Sequence, residues 1–106
     1  MHALDKSLDI TPQQLQVVRQ ILQRHVPCYE VWAFGSRVRN RSRRFSDLDL
    51  AIIGRQPLEL AKMAALRDDF SQSDLPWKVD VIDWANTGDE FRTQVEQQRV
   101  IIQSAA

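Results

Sequence analysis

The stretch from Gly35 to Asp49 constrains this chain more than any other. Gly35-Ser36 closes the apolar run Val31-Trp32-Ala33-Phe34, and Asp47 and Asp49 open the run Leu50-Ala51-Ile52-Ile53, with ten residues between Ser36 and Asp47. Both runs are rich in β-branched, aromatic or aliphatic residues and read as strands over 29–35 and 47–53. A strand that ends in a small-residue turn can present backbone N–H groups to an anion. Two aspartates at i and i+2 on a strand project from one face. There they can share a hard, oxygen-seeking cation such as Mg²⁺.

Length sets the frame around that feature. The chain has 106 residues, which predicts a single domain over 1–106. With 43% hydrophobic residues it can bury a modest core. No apolar stretch approaches the roughly 20 residues of a membrane helix, so no membrane partner is expected. Met1-His2-Ala3-Leu4-Asp5-Lys6 lacks the charged-then-apolar pattern of a secretory leader. The one cysteine, Cys28, cannot form an internal disulfide and is expected in the core. Together these features predict a cytoplasmic protein.

Formal net charge is zero but unevenly placed. Residues 1–45 hold eight Lys/Arg against three Asp/Glu, and residues 46–106 hold six against eleven. Five of the arginines fall within 37–44. A nucleic-acid binder of this size is usually basic overall, so no direct nucleic-acid contact is expected. The polarity suits a site that meets phosphate on one side and metal on the other.

Elsewhere the pattern alternates helices with strands. Thr11-Pro12-Gln13-Gln14 reads as a capped helix start, followed by Leu15, Val18, Ile21 and Leu22 at helical spacing. Ser36 to about Asn40 reads as a short helix and 41–46 as a loop. Residues 57–72 carry Leu58, Leu60, Ala61, Ala64, Ala65, Leu66 and Phe70 as a helical face. Trp77 to Ile82 reads as a third strand. Residues 87–102 read as a last helix, with Phe91, Val95 and Ile101 or Ile102 inward. The fold class expected is α/β (α+β), a short mixed sheet with helices packed on one face.

On the second strand Leu48, Leu50 and Ile52 share one face, leaving Asp47 and Asp49 on the other. On the third, Val79 and Val81 match the buried face, which puts Asp80 opposite. If these strands adjoin, three carboxylates converge on one patch, and like charges so placed repel unless a cation intervenes. Nucleotidyl transfer fits this set. Asp47 and Asp49 would bridge metal ions, and Asp80 would hold one of them or act as general base. Gly35 would let the backbone approach phosphate without a clashing Cβ. Ser36 would offer its N–H and hydroxyl, and Arg37 its charge. Asp83 is expected to face water, as are His2 and His25, at the surface or a helix end. Trp32, Trp77 and Trp84 are expected to pack in the core or at its edge.

Gly35-Ser36, the ten-residue gap, Asp47-Leu48-Asp49 and the later Val79-Asp80-Val81 resemble the signature of the DNA polymerase β-type nucleotidyltransferase superfamily. The short length and the Trp-Ala-Phe-Gly-Ser-Arg start resemble its minimal nucleotidyltransferase (MNT) branch, over roughly residues 11–102. The resemblance implies a polymerase β-type core, Mg²⁺ as cofactor and ATP as donor substrate. It also implies a separate HEPN-type partner, an RNase toxin that the MNT chain neutralises as antitoxin by moving AMP onto a tyrosine. Many relatives have glycine where this chain has Arg39-Asn40, a position where Asn tolerates left-handed backbone. Two rival readings are a non-catalytic antitoxin that acts by covering its toxin and a nucleotidyltransferase for a small-molecule acceptor.

Overall fold

A reciprocal cap starts the first helix. The Thr11 hydroxyl accepts the Gln14 backbone N–H at 3.1 Å, and the Thr11 N–H donates to the Gln14 side-chain oxygen at 2.9 Å. With Pro12 at the first helical position, α1 runs Pro12–His25 and buries Leu15, Val18, Ile21 and Leu22. The computed structural model describes residues 8–38 and 46–105. The predicted short helix is a turn over 36–38, closed by a Val38 N–H to Gly35 carbonyl bond of 3.1 Å. Its remainder, the loop 41–45, His2 and the arginines at 39, 41, 43 and 44 lie outside the described residues.

Among the described residues four strands make one sheet: β1 (Glu30–Phe34), β2 (Leu48–Ile53), β3 (Val79–Asp83) and β4 (Val100–Gln103), in the order β3-β2-β1-β4. β1 runs antiparallel to both of its neighbours, while β2 and β3 are parallel. Parallel neighbours need a crossover, which α2 (Leu60–Ser71) supplies.

Alternation then sorts the side chains. Leu48, Leu50, Ile52, Val31, Ala33, Val81 and Ile102 join α1 and α2 in the main core. The opposite face carries a smaller cluster of Trp32, Ala51, Trp84 and Val95, against which Phe34, Ile53 and Ile82 pack. The two long helices thus cover one face as expected. The short α3 (Asp89–Gln97) adds a partial cover to the other, through Val95. All three tryptophans pack in or beside a core.

Four expectations need correction. The last helix ends at Gln97, and Val100–Gln103 is a strand. It pairs Trp32 with Ile101 and Ala33 with Val100, so it satisfies the otherwise open hydrogen-bonding edge of β1 and buries Ile102. α2 begins at Leu60 rather than Pro57 and buries Met63, Leu66 and Phe70, leaving Leu60 89% exposed. The Leu58 N–H instead donates to the Asp83 carboxylate at 2.6 Å, so Asp83 is half-buried and engaged, not merely solvent-facing. Cys28, expected inside, is exposed, because it lies in the turn between Val26 and β1.

Candidate active site

Strand register brings two of the three candidate carboxylates side by side. Leu48 pairs with Val79, Asp49 with Asp80 and Leu50 with Val81. The leucines and Val81 are buried, so the pleat turns Asp49 and Asp80 to the opposite face. Asp47 stands one residue before β2, exposed, two positions from Asp49. Phe34 is the antiparallel partner of Asp49, which sets Gly35, the next residue, at its shoulder.

Gly35 has φ +84°, in the left-handed region that side chains rarely adopt. A Cβ built on it would overlap Oδ2 of Asp49 and lie 3.1 Å from its Cγ. The glycine therefore serves both the turn and the close approach of strand end and carboxylate. Ser36 follows, half-buried in the same turn.

Arg37 is placed differently from the expectation that it meets phosphate. It is 5% exposed. Its Nε donates to the Ser46 carbonyl at 3.0 Å and an Nη to the Asp9 carbonyl at 2.9 Å. The guanidinium lies 4.6 Å from the Trp77 ring centroid, and the Asp9 N–H returns a 2.8 Å bond to the Arg37 carbonyl. Burial pulls the guanidinium below its ordinary pKa, opposed by the charges of Asp9 and Asp47. Arg37 thus ties the segment before α1, the Gly35 turn and the residue preceding Asp47 into one unit. It sets where Asp47 emerges.

Among the described residues no three His, Cys, Asp or Glu side chains form a ready-made ion cage. The donor set nevertheless suits magnesium. That ion prefers oxygen ligands and is commonly held by one or two carboxylates with substrate phosphates completing its shell. The cradle that a Cβ at residue 35 would fill keeps one such carboxylate beside a bend fit for phosphate.

Beyond Gly35 the face continues into α3. Phe34 and Phe91 meet edge to face with ring centroids 5.7 Å apart, and an open cavity of about 220 Å³ lies among Phe34, Gly35, Asp49, Phe91, Gln94 and Gln98. Sequence reading singled out neither glutamine. With 87–102 taken as one long helix on the core side, nothing placed this segment beside Asp49.

Residues 16–106 match the family described as polymerase beta, nucleotidyltransferase. The chain belongs to that nucleotidyltransferase family. Within it, the chain is 50% identical over 96 residues to a Haemophilus influenzae protein named probable protein adenylyltransferase MntA, covering 91% of this chain and 84% of that one. Its fold is similar to a crystal structure of a toxin–antitoxin with AMP-PNP (TM-score 0.72, 22% identity, 86% of this chain and 73% of that one). It is also similar to a chain in the solved complex of tri-AMPylated Shewanella oneidensis HEPN toxin with MNT antitoxin (TM-score 0.65, 19% identity, 88% and 71%). At those identities the two structures speak to the polymerase β-type fold, a mixed sheet with helices.

Proposed function

We propose that this chain is a Mg²⁺-dependent adenylyltransferase that moves AMP from ATP onto a tyrosine hydroxyl of a companion HEPN-type toxin, and so acts as its antitoxin. The observation that carries this reading is the pairing of Asp49 with Asp80 across β2 and β3 while Gly35 opens directly onto Asp49. The relative named as a protein adenylyltransferase supports protein as the acceptor class, and the solved complexes support the nucleotide and the toxin.

The chemistry follows from the placement. The acceptor oxygen forms a bond to the α-phosphorus, the bond from that phosphorus to the bridging oxygen breaks, and pyrophosphate leaves. Asp47, Asp49 and Asp80 are the residues that would hold Mg²⁺. Bound there, the ion supplies charge neutralisation at the phosphates and lowers the pKa of the attacking hydroxyl. Asp80, at the outer strand, takes the hydroxyl proton. The Gly35 and Ser36 backbone N–H groups and the Ser36 hydroxyl face the β- and γ-phosphates, where fixed donors orient the leaving group without reorganising. Arg37 acts through position, by holding Ser46 and hence Asp47. Its pairing with Ser46, Asp9 and Trp77 supports that role over direct phosphate contact.

The same proposal includes a single catalytic domain over the 106 residues, since one sheet carries both cores. It also includes a cytoplasmic location, which the free, exposed Cys28 supports. Among the described residues no helix is long and apolar enough to cross a membrane.

Incubation with labelled ATP, Mg²⁺ and the companion toxin tests the reading. Label should pass to the toxin and disappear when Asp47→Asn and Asp49→Asn are combined. An unlabelled toxin, or labelling indifferent to the double substitution, contradicts it.

A further inference from the structure

The strand order β3-β2-β1 puts Asp80 on one side of Asp49 and Gly35 on the other. On the reading above Asp80 serves the acceptor, so the Gly35 side belongs to the donor. There α3 lies against the sheet through Val95 and forms one wall of the open 220 Å³ cavity beside Asp49. Pockets that enclose drug-sized ligands run from roughly 300 to 1,000 Å³. This one has room for a single heterocycle and opens toward the candidate metal carboxylate. One wall is Phe91, 38% exposed and held edge-on to Phe34. Gln94 and Gln98 supply the polar groups, and both are exposed, so neither is consumed by the core.

We infer that this cavity receives the adenine ring of the donor nucleotide, with Phe91 as the stacking face and Gln94 and Gln98 as the groups that read the base edge. The inference rests on the adenylyl-transfer reading and adds to it the choice of base. A glutamine amide offers one donor and one acceptor on neighbouring atoms. Adenine presents the complementary pair, an amino donor beside a ring-nitrogen acceptor, and Gln meets it bidentately. Guanine shows two acceptors on the corresponding N7/O6 edge, which leaves the amide oxygen facing like polarity. Stacking on Phe91 tolerates any base, so it contributes affinity and the glutamines contribute selectivity.

The test compares wild type with Gln94→Ala/Gln98→Ala and with Phe91→Leu, in complex with the toxin. Equilibrium binding of MgATP and MgGTP is measured, along with the KM for each nucleotide and for the toxin. Wild type should favour ATP. The double variant should weaken ATP binding about tenfold and bring ATP and GTP close to parity, while the KM for toxin stays put. Phe91→Leu should weaken both nucleotides alike. The exposed glutamines leave the core untouched, and circular dichroism verifies the fold. Unchanged ATP affinity in the double variant, a wild type with no preference for ATP, or an effect confined to the KM for toxin overturns the inference. A wild type that transfers AMP while the variants behave identically sinks only this inference. A wild type that binds ATP selectively but transfers nothing sinks only the transfer reading, and binding still decides the base site.

Discussion

The carboxylate of Asp49 occupies the space that a side chain at residue 35 would need. Its Cγ lies 3.1 Å from the position of a Cβ on Gly35, and its Oδ2 falls well within van der Waals contact of that atom. The turn that would hold phosphate and the acid that would hold metal are therefore one steric unit. Gly35→Ala must displace Asp49 and also force a side chain to φ +84°, which alone costs about 1 kcal/mol. Misplacement of a reacting group by an ångström can cost roughly 100-fold. AMP transfer by Gly35→Ala should fall by about that factor, with a lower Tm. Single-turnover rates and thermal melts check both, and an unimpaired rate contradicts the steric coupling.

Asp80 invites the opposite stability outcome. It is exposed and sits in register beside Asp49, and like charges directly opposite on a sheet are destabilising. Asp80→Asn should lower transfer by roughly 100-fold or more, the usual share of a positioned base, with Tm held or raised in metal-free buffer. A lost rate accompanied by a lower Tm would make Asp80 a structural residue.

Arg37→Lys separates positioning from phosphate binding. A lysine cannot reproduce the bonds to Ser46 and Asp9 together with the stack on Trp77. Losing charge-assisted bonds to part-buried carbonyls costs on the order of 2 kcal/mol. The expected result is a clear drop in Tm with a KM for ATP changed less than about threefold. An unchanged Tm with a greatly raised KM would place Arg37 on the phosphates instead.

A charge cluster away from the site contributes to the acid limb of stability. Asp69 on α2 bonds His25 at 2.8 Å and Arg24 at 2.6 Å, both on α1. The His25 bond foremost, then Arg24, holds the Asp69 carboxyl below its ordinary value against desolvation. The folded protein thus binds this proton less readily than the unfolded chain. The stabilisation is whole above the unfolded aspartate value of about 3.9 and is lost as pH falls through the lower folded value. Arg24 is largely exposed, so the effect stays under about 1 kcal/mol. Asp69→Asn should melt slightly below wild type at neutral pH, and the two curves should converge in acid. A gap that persists at every acid pH rules out this cluster as its source.

Much of this geometry was legible in the residues themselves. The Thr11–Gln14 cap, the three strand patterns and the alternation of Leu48, Leu50 and Ile52 against Asp47 and Asp49 are local patterns, and local physics reproduces them. β4 was not legible. Val100-Ile101-Ile102 is a short apolar run whose periodicity suits helix or strand equally. Only the open edge of β1 decides between them, and that edge exists once the sheet has formed. The tie from Arg37 to Asp9 and Trp77 was not legible for the related reason that both partners are distant in sequence. The Gln94 and Gln98 wall was invisible because its meaning depends on which sheet face α3 covers.

The most direct test of the central claim is the intact mass of the companion toxin after incubation with MgATP and this protein. The account predicts the added mass of AMP on a toxin tyrosine with the wild-type chain and none with Asp49→Asn. A toxin that gains no mass with the wild-type chain, or gains it equally with Asp49→Asn, would contradict the account.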